Sequence, residues 1–308
     1  MYKTMLVPLD GSELAEVVLP YAKELAGRLD LELLLLHVCE PHSSESQFMC
    51  QAYIERAAEI VKMQSREVQT KTGATPGGKA VEARGEVVTG HPAEEIIRYA
   101  SENNTDLILV ATHGRSGVKR WVLGSVADKV LRASEVPIWL VRAAIPEEIV
   151  YDEWPKRTML VPLDGSKLAE SVIPHVEALA KQRGDELVNV VLLRVCEEPF
   201  VTADYPEASI NLSWQEHVRR IKEHFKQGAE RYLAGVQKRL ADAGLRVRAE
   251  VLMGKPADEI INYAHQNHPN LIVMATHGYS GIGRWEYGSV ADKVLHGVSS
   301  PILLVRPR

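Results

Sequence analysis

The sequence predicts an α/β protein made of two tandem doubly wound domains, each with a five-stranded parallel sheet flanked by helices. The first observation behind this prediction is a repeat: residues 4–12 (TMLVPLDGS) recur letter for letter at 158–166, so the 308-residue chain is an internal duplication. The second is that apolar runs of strand length alternate with helical patterns, which is typical of βαβ units and a parallel sheet.

Each element of the first copy has its own signal. Five nearly continuous apolar runs predict strands that helices cover on both faces, at 3–7, 32–38, 80–88, 106–110 and 137–141. After the first strand, apolar residues at helical spacing predict a helix that Pro20 should kink or interrupt. A long helix over 51–71 is expected to make the crossover to the third strand. Pro92, and Pro256 in the second copy, fit the first position of a helix.

The two copies are predicted to be domains over residues 1–145 and 156–308. The stretch between them, 143–157, contains two prolines and no helical or strand periodicity, as expected of a linker. Later motifs recur at an offset of 164 rather than 154, so the second copy has gained ten residues. Most of this gain is expected around 200–214, between the second strand and the following helix.

Composition limits the classes of partner. Thirty-six Lys and Arg residues against 41 Asp and Glu residues give a formal charge of −5, which argues against a broad cationic surface for nucleic acid or anionic lipid. Cys39 and Cys196 stand at the ends of equivalent apolar runs, where a thiol usually packs as a hydrophobic group. This use of cysteine suits a reducing cytosol. The first apolar run is too short for a signal peptide, and none approaches the ~20 residues of a membrane helix. We therefore expect a cytoplasmic protein without a nucleic-acid or membrane partner.

A polar turn leaves the first strand at Asp10-Gly11-Ser12. In doubly wound sheets, ligands bind beyond the carboxyl ends of the strands, which is where this turn is expected to lie. All three residue types also favour helix starts. From these residues alone, both turn formation and ligand contact remain open.

A stronger signal follows the fourth strand. Gly114 is separated by nine residues from Gly124-Ser125, and the same spacing of Gly and Gly-Ser recurs in the second copy. Glycine lets the backbone approach a ligand closely, and the free amide groups of a helix start can bind phosphate, with the serine hydroxyl as a further donor. A helix cap with a flexible connector is the structural alternative, and the recurrence in both copies favours the phosphate site.

With these motifs the chain resembles the universal stress protein family, over nearly all of both copies. Nucleotide-binding members carry Gly, two residues, Gly, nine residues, and then Gly followed by Ser or Thr. Here Ala111 and Ala275 replace the first glycine and add a methyl group at each site. The resemblance implies a Rossmann-like fold of the adenine nucleotide alpha hydrolase type. It also implies binding of ATP, AMP or ADP, with any Mg²⁺ held on the phosphates rather than in a protein cage.

The resemblance also implies roles for individual residues. Asp10 and Asp164 would contact the adenosine end, while a proline and a valine from each copy would shape the adenine and ribose pocket. The expected nucleotide contacts are Pro8, Asp10, Val38, Ala111, Gly114, Arg115, Gly124, Ser125 and Val126 in the first copy, and Pro162, Asp164, Val195, Ala275, Gly278, Gly288, Ser289 and Val290 in the second.

The nine-residue loops of the two copies differ in charge. The first contains Arg115, Lys119 and Arg120, whereas the aligned residues of the second are Tyr279, Gly283 and Arg284. Because charge-assisted contacts to phosphate are stronger than neutral ones, the first site is predicted to bind ATP more tightly than the second.

Several kinds of chemistry are disfavoured. Neither loop contains the P-loop pattern or the Gly-x-Gly-x-x-Gly dinucleotide fingerprint, which argues against energetic ATP hydrolysis. His113 and His277 end the fourth strands without a second ligand residue at a suitable spacing. Each is therefore expected to pack under its loop or bond the backbone, and no catalytic or metal-binding residue is predicted. His37 aligns with Arg194, so no role shared by the copies can be assigned to that position.

The expected function is that of a stress-related regulatory protein with two adenine-nucleotide pockets. The resemblance implies that the fifth strands are dimerisation edges, so the two halves would pair pseudo-symmetrically and two chains could form a homodimer. One alternative is a slow ATPase or autophosphorylating enzyme, with Ser125 or Ser289 as the acceptor. Another is an interaction module that no longer binds nucleotide.

Overall fold

The structure is a computed structural model of the chain, and it describes residues 2–39, 44–72, 79–112, 123–142, 157–183, 188–197, 211–277 and 288–307. Strands and helices alternate through the first half. Its elements are β1 (Thr4–Pro8), α1 (Glu13–Glu16), α2 (Leu19–Leu29), β2 (Glu32–Cys39), α3 (Ser44–Thr72), β3 (Ala83–Thr89), α4 (Pro92–Glu102), β4 (Leu107–Ala111), α5 (Ser125–Ala133) and β5 (Ile138–Val141).

The second half repeats the same succession of elements, as the duplication predicts. Its elements are β6 (Arg157–Pro162), α6 (Lys167–Glu170), α7 (Ile173–Arg183), β7 (Val188–Cys196), α8 (Asn211–Asp242), β8 (Arg246–Met253), α9 (Pro256–Asn267), β9 (Leu271–Ala275), α10 (Ser289–Gly297) and β10 (Ile302–Val305).

The described strands form one ten-stranded sheet in the order β3-β2-β1-β4-β5-β10-β9-β6-β7-β8. Within each half the pairing is parallel, which confirms the doubly wound fold. In the first half, β1 lies between β2 and β4, so the strand order reverses there. The equivalent point in the second half lies between β6 and β9. Such switch points open the crevice in which doubly wound sheets bind ligands.

The two halves join through their fifth strands. β5 and β10 pair antiparallel, with Trp139 opposite Leu303, so the two short sheets become one. A hydrogen bond of 2.7 Å between Tyr2 Oη and His175 Nδ1 crosses the same seam. The pairing of halves implied by the family resemblance is therefore present within one chain. Because this pair is antiparallel, the carboxyl ends of the strands in the two halves point to opposite edges of the sheet.

Side-chain alternation along the strands builds a core on each face of the sheet. In β2, Leu33 and Leu35 join the core on the side of α2 and α3, whereas Leu34 and Leu36 join the core on the side of α4 and α5. Trp139 of β5 is fully buried. Helices on both faces explain why the inner strands β4 and β5 are apolar and buried along their whole length, whereas the edge strand β3 carries the exposed Arg84 and the partly exposed Glu86.

Most predicted boundaries are confirmed to within a few residues. The interruption expected at Pro20 is present: α1 ends at Glu16, and Pro20 stands in the first turn of α2. Pro92 and Pro256 begin α4 and α9, as predicted.

Two boundaries differ from prediction for identifiable reasons. α3 begins at Ser44 rather than at 51, and its early residues Phe48 and Met49 are exposed, so that part of the helix has no apolar periodicity to reveal it. β3 begins at Ala83 rather than at 80. Just before it, the backbone of Val81 bonds side chains of α3 instead of a neighbouring strand, with its N–H donating to Gln69 Oε1 at 3.1 Å.

The insertion predicted around 200–214 lies partly within the described residues and partly outside them. Its last residues belong to α8, which has 32 residues against 29 in α3. The remainder, and most of the predicted linker at 143–157, lie outside the described residues. Among the helices that the structure describes, none combines the length and apolarity needed to cross a membrane.

Candidate functional site

The first candidate site begins with the turn after β1. Gly11 has φ of 78°, a left-handed conformation that glycine adopts without a Cβ clash. Asp10 Oδ1 accepts hydrogen bonds from Ser12 N at 2.9 Å and from Ser12 Oγ at 2.6 Å. Ser12 Oγ in turn accepts from Ala15 N at 3.2 Å and caps α1. The turn therefore fixes the half-buried Asp10 carboxylate at the carboxyl edge of the sheet.

The second half builds the same turn. Asp164 Oδ1 accepts from Ser166 N at 2.9 Å and from Ser166 Oγ at 2.6 Å, and Gly165 has φ of 83°. Turn formation, one of the two interpretations left open by the sequence, is thus confirmed in both copies. It does not exclude ligand contact, because both carboxylates are only half-buried.

The second part of each candidate site is a helix start held against the end of β4 or β9. Gly124 N donates to Thr112 O at 2.7 Å, and Gly288 N donates to Thr276 O at 2.9 Å. Both glycines are the N-cap residues of nine-residue helices, and among the described residues no side chain caps either helix. Ser125, the first residue of α5, is exposed. Amide groups and a hydroxyl at a positive helix end can bind phosphate oxygens.

The remaining described contact residues lie around these two features. Val38 and Val126 are partly buried and pack against the core on the α4 and α5 side, as Val290 does in the second half, whereas Val195 is buried within that core. Pro8 and Pro162 are half-buried, whereas Ala111 and Ala275 are buried. Since β1, β2 and β4 are parallel neighbours, their carboxyl ends bring Pro8, Val38 and Ala111 to one edge.

Part of the predicted site cannot be placed. Gly114, Arg115 and Gly278 lie outside the described residues, as do His113 and residues 116–122 and 279–287 of the two nine-residue loops. His277 is described: it is buried, and its Nδ1 is 3.1 Å from Thr276 Oγ1. This contact is with the side chain of the preceding residue, and the loop under which His277 was predicted to pack lies outside the described residues.

The difference between His37 and Arg194, to which the sequence assigned no role, lies beneath the two turns. Arg194 in β7 replaces His37 of β2, and its Nη1 donates to Leu163 O at 3.5 Å. A Cβ placed on Gly165 would lie 3.2 Å from the same nitrogen. Among the described residues, this position therefore carries a permanent positive charge under the Asp164 turn and a histidine under the Asp10 turn. The signal in the sequence was a single arginine in the otherwise apolar end of β7.

A matching contact anchors the crossover helix of each half to the first helix. Tyr53 of α3 donates to Glu16 Oε1 at 2.8 Å, and Tyr232 of α8 hydrogen-bonds Glu170. Burial first, and Glu170 next, raise the pKa of the Tyr232 hydroxyl. It therefore stays a neutral donor under ordinary conditions.

The fold and these paired features define a class: a tandem doubly wound α/β protein with one candidate ligand site in each half. The sequence model of the universal stress protein family matches the chain twice, over residues 1–142 and 156–306. The chain therefore belongs to the universal stress protein family, as a tandem two-domain member.

Individual relatives agree with this assignment. A universal stress protein of Mycolicibacterium smegmatis is 25% identical over 312 residues, covering 99% of this chain and 97% of the relative. Universal stress protein YxiE of Bacillus subtilis is 31% identical over 148 residues, which are 46% of this chain and 100% of the relative. The second relative corresponds in length to one half of the chain.

Solved structures share the tandem fold. A universal stress protein from Archaeoglobus fulgidus has a TM-score of 0.62 at 20% identity, covering 98% of each chain. The functionally unknown protein PA1789 from Pseudomonas aeruginosa has a TM-score of 0.66 at 14% identity, covering 99% of this chain and 93% of the other. At these identities the likeness concerns the fold alone.

Proposed function

We propose that this protein is a regulatory adenine-nucleotide-binding protein that holds one ATP in each half. The observation that carries the proposal is the position of each uncapped helix start. In each half, a backbone hydrogen bond holds this helix start against the end of β4 or β9, next to the switch point. The aspartate that its turn holds in place, Asp10 or Asp164, follows the neighbouring strand. That arrangement offers amide donors for phosphates and a carboxylate for ribose hydroxyls.

The proposed contacts follow from this arrangement. Asp10 and Asp164 would accept hydrogen bonds from the ribose, and Val38 and Val195 would pack against adenine. The helix starts at Ser125 and Ser289 would bind the phosphates, and Mg²⁺, when bound, would neutralise them from the solvent side. Ala111 and Ala275 are buried, so their methyl groups would narrow the proposed nucleotide pocket at the end of the strand without removing a hydrogen-bond donor to phosphate.

The two sites are proposed to differ in affinity. The first-half loop carries Arg115, Lys119 and Arg120, which add charge-assisted contacts to phosphate. We therefore expect the first site to fill at lower ATP concentration than the second. Equal affinities at the two sites would contradict this part of the proposal.

The test places a negative charge where phosphate should bind. Ser125→Asp and Ser289→Asp each remove a hydroxyl donor and add a carboxylate about 4 Å from the expected phosphate. The repulsion is about 1–4 kcal/mol, or roughly 5- to 1000-fold in affinity. A carboxylate at a helix start is itself favourable by about 0.3–1 kcal/mol, so the variants should remain folded.

Isothermal titration with Mg-ATP gives the readout. We expect two equivalents for the original chain, one equivalent weakened by roughly 5- to 1000-fold in each single variant and both weakened in the double variant, with thermal unfolding unchanged or shifted upward. A double variant that binds ATP like the original chain would refute the proposed phosphate position. If the original chain itself binds no nucleotide, the protein is an interaction module instead.

The same incubation distinguishes binding from catalysis. Chromatography of a Mg-ATP mixture over time should show unchanged ATP, because neither loop contains the P-loop pattern. ADP or phosphoprotein that accumulates with time, and that Ser125→Asp abolishes, would establish the enzymatic alternative.

A further inference from the structure

Three metal-ligating side chains converge at the end of β2 in the first half. The ligand atoms of His37, Cys39 and Cys50 all lie within 4.8 Å of one another. His37 is 5% exposed, and both cysteines are half-buried. The cluster therefore joins one buried histidine to two partly exposed cysteine residues.

The fold explains why these residues meet. His37 and Cys39 are two residues apart in β2, so their side chains lie on the same face of the sheet. That face is covered by α3, which supplies Cys50. Tyr53, one turn after Cys50, packs its ring edgewise on His37, with centroids 6.0 Å apart at 74°. The contact holds the imidazole beside the two thiols.

Two thiols and one imidazole form a ligand set for a thiophilic metal ion. Zinc sites with two cysteines and one histidine use Zn–S bonds of about 2.3 Å, which set tetrahedral sulfur atoms about 3.8 Å apart. The separations here exceed this value by about 1 Å at most, which side-chain rotation of a half-buried cysteine can close. We infer that His37, Cys39 and Cys50 form a Zn²⁺-binding site whose fourth position is open to water.

This site is separate from the proposed nucleotide pocket. Val38, between the two strand ligands, points to the opposite face and packs at the core beside α4 and α5. Any Mg²⁺ on ATP would need oxygen ligands, whereas thiolate and imidazole favour zinc and other soft ions. Zinc and nucleotide would therefore bind on opposite faces of the same strand end.

The second half provides an internal control. Tyr53 and Tyr232 make equivalent bonds to Glu16 and Glu170, so Cys50, three residues before Tyr53, corresponds to Ala229. The strand positions of the second half hold Arg194 and Cys196. Arginine has a permanent charge and no lone pair for a metal, and alanine has no ligand atom. Only the first half can therefore bind zinc in this way.

The test uses the full-length chain, reduced with a phosphine and stripped of metal. We expect it to bind one equivalent of Zn²⁺ in competition with a chromogenic chelator. Co²⁺ should produce thiolate-to-metal charge-transfer absorption, and bound zinc should protect Cys39 and Cys50, but not Cys196, from alkylation. A reduced protein that binds no Zn²⁺ would overturn the proposal, including the case in which Cys39 and Cys50 meet only as a disulfide.

Two variants separate the site from adventitious binding. Cys50→Ala introduces the residue that the second half already carries at this position, so it should fold. We expect zinc affinity to fall about 100-fold or more, since even outer-shell changes cost up to that amount. Cys196 lies outside the cluster, so the Cys196→Ala variant should bind zinc with the affinity of the original chain. Unchanged affinity in Cys50→Ala, or an equal loss in Cys196→Ala, would refute the assignment.

Discussion

The close approach of α2 and α3 in the first half depends on one glycine. A Cβ on Gly27 would lie 2.6 Å from Ser65 O and 2.6 Å from Val68 Cβ. Ordinary carbon–oxygen contacts are about 3.3 Å or longer, so Gly27→Ala should force the helices apart by about 0.7 Å. The residue aligned with Gly27 in the second half is the exposed Lys181, so this requirement belongs to the first half alone.

Two opposing effects determine the size of the change. Alanine is favoured over glycine inside a helix by about 1 kcal/mol. Overpacking of a close contact costs about 1–3 kcal/mol, and here one of the obstructing atoms belongs to the backbone of α3. The free energy of unfolding should therefore fall by about 1 kcal/mol, and by 2 kcal/mol at most.

Gly235→Ala in α8 is the matched control. A Cβ on Gly235 meets no atom within 4 Å among the described residues, so only the helix preference acts, and stability should rise by about 1 kcal/mol. Urea unfolding followed by circular dichroism compares both variants with the original chain. If Gly27→Ala raised the unfolding midpoint as Gly235→Ala does, the inferred helix contact would be wrong.

Three further predictions concern the seam, alkaline stability and the first turn. Tyr2→Phe removes the hydrogen bond to His175 across the seam and should cost about 1 kcal/mol; a double-mutant cycle with His175→Ala should give a coupling energy of similar size, and zero coupling would contradict the contact. Burial raises the pKa of Tyr99 to about 12 and that of Tyr263 to about 12, whereas the unfolded chain ionises near pH 10. The folded state therefore retains protons that the unfolded state loses, and stability should fall between pH 10 and 12 by up to about 1.4 kcal/mol per pH unit for each tyrosine. Tyr263→Phe should flatten this decline in urea titrations, and an unchanged slope would count against the burial argument. Ser12→Ala removes the cap of α1 and should lower the unfolding free energy by about 1 kcal/mol in the same assay, whereas an unchanged midpoint would show that the cap contributes nothing.

The fold was predictable because its signals are local and repeated. The nine-residue repeat revealed the duplication, and near-continuous apolar runs revealed the buried parallel strands. Pro20 correctly marked the break between α1 and α2, because its ring cannot continue a helix interior. The pairing of β5 with β10 came from family resemblance rather than from any pattern within the strands.

Contacts between distant residues could not be read from the sequence. Tyr2 and His175 are 173 positions apart, and neither carries a local sign of its partner. The sequence also gave no reason to join Cys50 to His37 and Cys39, because the start of α3 lacks the periodicity that would have oriented it. The expectation that no metal site exists rested on His113 and His277 and did not consider this cluster.

The antiparallel seam between β5 and β10 has a consequence for how such a protein can evolve. When two identical chains meet at this edge, every substitution appears at both ends of the assembly. A tandem chain avoids that constraint, and the covalent link also keeps the partners together at an effective concentration in the millimolar range. The two halves can then specialise independently. Two positions illustrate this: the first half has Cys50 and His37 where the second half has Ala229 and Arg194.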